Sequence, residues 1–156
     1  MRAVLQRATR ASVHVGDERV GEVGPGLVIL LGVGRDDDDA VTDGLARRVT
    51  ELRIFADAEG RTNRSILDVR GEVLVVSQFT LYADTSRGRR PGFTDAAPPA
   101  LAERLYERFA GQLRELGIRR VAMGAFGAEM AVELVNEGPF TVWLDTDAKS
   151  SAGIRT

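Results

Sequence analysis

At 156 residues, 44% hydrophobic and 28% charged, the chain has the size and composition of a single globular domain spanning 1–156. A formal net charge of −2 provides no global positive field for nucleic acid, which counts against a non-specific DNA or RNA binder and leaves room only for a local basic patch. The absence of cysteine excludes disulfides, thiol nucleophiles and cysteine zinc sites, and a single histidine, His14, is all that a Ser-His-Asp triad would have to use.

The opening residues lack the charged-then-apolar-then-small order of a signal peptide, and no apolar run approaches the roughly 20 residues of a membrane span. A cytoplasmic protein without a membrane partner is the expectation. Strands are predicted at Arg2–Gln6, Ser12–Val15 and Arg19–Val23, the last two around Gly16-Asp17. His14 alternates with Val13 and Val15, which puts it on the outer face of its strand. "GLVILLGV", Gly26–Val33, is a continuous apolar run of strand length and should be buried on both faces. "GVG" at Gly32–Gly34 lacks the third glycine of a dinucleotide fingerprint and carries no functional weight.

Asp36–Asp39 come next, and four consecutive carboxylates raise the possibility of a divalent cation. Val41, Leu45, Val49 and Leu52 follow at helical spacing, so the aspartates fit better as the N-cap and first turn of a helix, with no metal bound. After a polar loop, a second buried strand is predicted at Val73–Leu81. "TSRGRRPGF" breaks it, and its Arg87, Arg89 and Arg90 suit either phosphate contact or a solvated loop. Of the 21 basic residues all but Lys149 are arginine, the better fork for phosphate, although codon bias explains the preference as well. Pro98-Pro99 open a second helix whose stripe is Leu101, Leu105, Phe109, Leu113 and Leu116, closed by Gly117. Strands at Arg119–Met123, Met130–Val135 and Thr141–Leu144 complete the chain.

About eight strands and two helices predict an α+β fold. Two helices cannot cover both faces of a parallel sheet. Most pairs should therefore be antiparallel, forming a barrel-like core with the helices on one side. An apolar face is left for a partner subunit.

Three segments stand apart from this framework. "VSQFT" ends an apolar run with Ser77, Gln78 and Thr80; on strand alternation Ser77, Phe79 and Leu81 share one face, Gln78 and Thr80 the other. "GAFGAEM", Gly124–Met130, brackets Phe126 with glycines, as a simple turn does or as a loop approached closely by a ligand does. "NEGPFT", Asn136–Thr141, sets the rigid pair Gly138-Pro139 between two apolar runs, where Asn-Gly or Asp-Gly would serve a plain hairpin.

Together with "QRATRASV" (Gln6–Val13), the segments "SQFTLYAD" (Ser77–Asp84), "FGAEM" (Phe126–Met130) and "NEGPFT" resemble the D-aminoacyl-tRNA deacylases nearly end to end. Glu137 and Phe140 stand where that family usually has Asp and Val. The resemblance implies a homodimer without cofactor that hydrolyses the ester of a D-amino acid on the acceptor end of tRNA, and glycine mischarged on tRNA. It implies that Ser77, Gln78, Phe79 and Thr80 line the reacting carbonyl, and that backbone N–H groups near Gln78 and Phe79 form an oxyanion hole. Gly138 and Pro139, joined by a cis peptide, would reach across the subunit interface and reject L-aminoacyl esters. Phe126, Ala128 and Met130 would wall the pocket, and Arg87, Arg89 and Arg90 would meet the tRNA. Either Thr80 Oγ is the nucleophile or a ribose hydroxyl of the tRNA assists a water. The alternatives are a non-catalytic RNA-binding, translation-associated module and a metal-dependent hydrolase built on Asp36–Asp39.

Overall fold

A computed structural model describes residues 1–147. Its elements are β1 (Arg2–Val15), β2 (Glu18–Val23), β3 (Gly26–Gly32), α1 (Asp39–Glu51), β4 (Phe55–Ala56), β5 (Thr62–Arg64), β6 (Glu72–Ser77), a 3₁₀ turn at Phe79–Tyr82, α2 (Pro99–Glu115), β7 (Val121–Met123) and β8 (Ala131–Asp145).

β1 is the spine. One of its edges pairs antiparallel with β8 from end to end. Its other edge pairs antiparallel with β3 over Arg2–Ala8 and with β2 over Ala11–Val15. Two expected strands, Arg2–Gln6 and Ser12–Val15, are thus one. Irregularities in the pairing with β8 between Gln6 and Arg10 switch the buried set from Ala3 and Leu5 to Ala8, Ala11 and Val13 without ending the strand. From β3 the sheet continues through β6 to β7, and β2 packs against β6 and β7, so the sheet nearly closes on itself.

The antiparallel expectation holds around β1 and for the β4–β5 ribbon, whereas β3–β6 and β6–β7 are parallel. These are the strands with continuous apolar runs. α1 lies between β3 and β6 in the chain and α2 between β6 and β7, the crossovers that parallel neighbours require. Both helices cover one face. Leu27, Ile29, Leu31, Val73 and Val75 pack there with Leu45, Val49, Leu105, Phe109 and Leu113. The alternate residues Val28, Leu74 and Val76 turn inward and meet Val13 and Val23 inside the curled sheet. Each fully buried aliphatic side chain contributes about 1.5–3 kcal/mol. Curling the sheet thus buries its second face without a second helical layer.

Three of the four aspartates take separate tasks. Asp38 caps α1, its Oδ1 accepting from Val41 N at 2.9 Å. Asp37 is buried and accepts from the Met1 amine at 2.7 Å and from Gly34 N at 2.5 Å. Asp39 pairs with Arg104 at 2.6 Å and Arg108 at 3.2 Å, which ties α1 to α2. Among the described residues no group of three or more His, Cys, Asp or Glu is placed to hold a metal ion, and no helix is long and apolar enough to cross a membrane.

Candidate active site

A cavity of about 520 Å³ opens where β3 and β6 end. β6 stops at Ser77, earlier than the expected Leu81, because the chain there turns into the 3₁₀ segment. The alternation expected for Ser77–Leu81 is therefore overturned. A turn places successive side chains around an axis, so Phe79 and Thr80 do not occupy opposite faces of a strand. Ser77, Gln78 and Phe79 line the cavity together with Phe126, Ala128 and Met130. Residues some 50 positions apart in the sequence are thus brought to one wall by the parallel β6–β7 pairing, with the Gly124–Met130 loop following β7.

Thr80 sits at the rim, exposed and outside the lining, and its Oγ1 accepts a short hydrogen bond from Gln78 Nε2. Gln78 N donates to Leu31 O at 2.8 Å, so this amide is committed to the sheet. The N–H groups of Phe79 and Thr80, at the start of the turn, have no acceptor among the described residues. Of the amides expected near Gln78 and Phe79, that of Gln78 is thus taken, and those of Phe79 and its successor are free among the described residues. Phe79 is 57% exposed and stacks edge-on against Phe93 at 4.9 Å.

The opposite wall was missed in the sequence. Ala96, Ala97, Pro99 and Ala102, from the approach to α2 and its first turn, leave the space, and Tyr106 from the second turn closes the floor. The run "DAAPPA" carries the signal, small residues beside a helix start, yet small residues at a helix start are also ordinary. Tyr106 Oη donates toward Val75 O at 2.9 Å and Gly124 O at 3.1 Å, which braces the β6–β7 junction. Burial pushes its phenol up to about 12, so it stays neutral and a donor. It is the one titratable side chain in the cavity lining.

The basic loop is pinched off by paired backbone hydrogen bonds between Asp84 and Gly92, at 2.8 and 2.9 Å. Arg87, Arg89 and Arg90 lie exposed at its tip, with no ion pair among the described residues. Phe93, just beyond the pinch, connects the loop to Phe79.

Gly138 and Pro139 do not line the cavity of their own chain. β8 runs on through the expected break, but Asn136 pairs with Ala8 and Thr141 with Gln6, so Glu137–Phe140 stand opposite Arg7 alone and bulge outward. The Gly138–Pro139 peptide is cis, and both residues are exposed. Arg7 backs the bulge: its guanidinium lies 4.9 Å from the Phe140 ring centroid and Nη1 donates to Ile54 O at 2.8 Å. Arg7 Nε stands 3.4 Å from Glu137 Oε2, an ion pair without hydrogen-bond geometry, which leaves this buried N–H without a partner. Phe140 is the face on which Arg7 rests. Gly138 has φ +123, a conformation that strains any other residue, and a Cβ there would stand 3.1 Å from both Arg7 Nη2 and Phe140 N.

A sheet curled around one core, two helices on one face and an apolar cavity at the parallel strand ends define an α+β domain with a pocket of small-molecule size. Residues 4–145 match the family model described as D-Tyr-tRNA(Tyr) deacylase. The chain is 62% identical over 146 residues to a D-aminoacyl-tRNA deacylase of Roseiflexus sp. (strain RS-1), covering 94% of each chain. It is 56% identical over 147 residues to one of Symbiobacterium thermophilum, covering 94% of this chain and 97% of that one. Among solved structures it superimposes on a protein described as c-Myc DNA Unwinding Element Binding Protein with a TM-score of 0.89 and 39% identity, over 95% of this chain and 100% of that one. The chain belongs to the D-Tyr-tRNA(Tyr) deacylase family.

Proposed function

We propose that this protein hydrolyses the ester between a D-amino acid and the 3′ end of tRNA, and the ester of glycine mischarged on tRNA, while sparing L-aminoacyl-tRNA. The observation that carries the reading is the cavity in which Ser77, Gln78 and Phe79 face Phe126, Ala128 and Met130, in a chain of this family. Such a pocket suits an activated acyl ester. The free amides at Phe79 and Thr80 supply an oxyanion site, where one well-placed donor is worth about 3–4 kcal/mol. Holding the ester in place supplies more.

The cavity lining contains no carboxylate, imidazole or amine. We therefore assign activation of the water to the vicinal ribose hydroxyl of the substrate, and to Thr80 an orienting role through Gln78. A threonine hydroxyl is a weak nucleophile without a base beside it.

The enzyme works as a cytoplasmic homodimer without metal or cofactor. Gly138 and Pro139 of a second copy enter the open side of the pocket. The bulge on β8 supports this, since it presents both residues outward on a backbone braced by Arg7. A main-chain carbonyl cannot swing away as a side chain does, so it excludes the side chain of one enantiomer and leaves glycine untouched. Arg87, Arg89 and Arg90 contact the acceptor end, which makes the association salt-dependent.

The test is deacylation of matched D-Tyr-, L-Tyr- and Gly-tRNA by substoichiometric protein with and without EDTA. D-Tyr and Gly esters should clear with multiple turnovers in both conditions, and L-Tyr-tRNA should persist. Binding without turnover would favour the non-catalytic RNA-binding module, and loss of activity in EDTA the metal-dependent hydrolase.

A further inference from the structure

The Phe79–Tyr82 turn is seated and clamped from two sides. Beneath it, Gly32 at the end of β3 and Gly34 just beyond allow close approach: a Cβ on Gly32 would stand 3.0 Å from Gln78 O, and one on Gly34 2.7 Å from Tyr82 Oη. Against its outer side lies Arg2. Arg2 Nη1 donates to Leu81 O at 2.9 Å, and its guanidinium carbon lies 4.4 Å from the Tyr82 ring centroid. Its Nε donates to Asp145 Oδ2 at 3.2 Å. Leu81 O has no other donor among the described residues. Arg2 is the first residue of β1 and pairs in register with Asp145, the last of β8, so the clamp is anchored where the spine of the sheet begins.

We propose that Arg2 is a positioning residue for the ester-hydrolysing site. It is not itself among the residues that line the pocket. By holding the carbonyl of Leu81 and the ring of Tyr82, it fixes where the amides of Phe79 and Thr80 point. The inference rests on the reading that the Ser77–Thr80 segment handles the ester. Arginine suits the position because one planar group can stack on a ring and donate in two directions within its plane. Lysine keeps the charge but loses the fork and the stack.

The experiment compares Arg2→Ala, Arg2→Lys, Tyr82→Leu and the Arg2→Ala/Tyr82→Leu pair with the wild type. Measured are kcat and KM on D-Tyr-tRNA, thermal unfolding, and hydrogen exchange at the amides of Leu81 and Ala83, which bond to Gln78 O and Thr80 O. Arg2→Ala should lower kcat about tenfold to a hundredfold, the range expected when a catalytic donor is misplaced by a fraction of an ångström to one ångström. KM should change little, and exchange at Leu81 and Ala83 should quicken while β6 amides stay protected. Lysine should restore little of kcat, and the double variant should fall no further than the worse single one. Wild-type kcat with unchanged exchange in Arg2→Ala would overturn the proposal, as would a loss of activity that merely tracks the fraction unfolded. If the wild type itself released no D-tyrosine, the functional reading would fall, while the exchange data would still decide whether Arg2 holds the turn.

Discussion

Asn136 Oδ1 accepts a hydrogen bond from the backbone N–H of Phe140 at 3.1 Å, across the bulge that presents Gly138 and Pro139. The same amide donates through Nδ2 to Thr141 Oγ1 at 3.2 Å, so one side chain closes both ends of the loop. Asn136→Ala removes both bonds, each worth about 0.5–1.5 kcal/mol net. The expected outcome is a folded protein whose rate on L-Tyr-tRNA rises about tenfold relative to its rate on D-Tyr-tRNA. Parallel single-turnover measurements on the two esters check this, and an unchanged ratio would separate the bulge from enantiomer selection.

Thr80→Val should retain most of the single-turnover rate on D-Tyr-tRNA. Its hydroxyl is exposed at the rim and bonded to Gln78 Nε2, with no base beside it. Gln78→Ala should cost more, about tenfold, because the side chain lines the cavity and its loss also frees Thr80. A threonine variant with no activity and an intact fold would make Thr80 the nucleophile.

The dependence of kcat on pH should lack the bell of an enzymic acid–base pair. Tyr106 is the sole titratable side chain in the cavity lining, and burial holds it neutral up to about 12. A single limb from the α-amino group of the substrate, near about pH 8, is expected instead. A second limb in the rate on D-Tyr-tRNA would reveal a protein group in the reaction.

Stability should fall in strong base. The phenols of Tyr106 and Tyr82 are both raised from the ordinary 10.0, chiefly by burial and, for Tyr82, next by Asp37. A raised folded value stabilises fully below the unfolded one and is lost as pH climbs through the folded one. Thermal unfolding temperature should therefore hold until about pH 10 and drop above it. Tyr106→Phe should soften that drop, at the cost at neutral pH of a buried hydrogen bond, about 1 kcal/mol.

In acid the helix–helix contact should weaken. Arg108 donates to Asp43 through Nε at 2.8 Å and Nη2 at 2.7 Å. These hydrogen bonds from Arg108 are the main reason that Asp43 sits below the ordinary 3.8, against a smaller opposing effect of burial. A lowered folded value stabilises above the unfolded one and is lost as pH falls through the folded one. Asp43→Asn should thus unfold a few degrees below the wild type at neutral pH. The gap should shrink as pH falls below the ordinary 3.8 of a free aspartate.

Much of this was legible in order along the chain. Apolar periodicity marked both helices, the Asp36–Asp39 run as a helix start and the buried runs of β3 and β6, since a helix stripe or a two-faced strand writes its burial into consecutive residues. The segments around Ser77, Phe126 and Gly138 were recognisable as motifs, and two of the three proved to share one cavity. Local pattern misread the end of β6, where the Phe79–Tyr82 turn is seated closely over Gly32 and Gly34, at and just beyond the end of another strand. It also split β1 and β8 into pieces, because a strand that bends through pairing irregularities shifts its alternation without ending. The motif segments themselves were thus a property of the sequence. That Ala96, Ala97 and Tyr106 face them, that Gly138 and Pro139 leave their own pocket, and that Arg2 reaches the turn were decided by tertiary structure, because each depends on contacts between residues far apart in the chain.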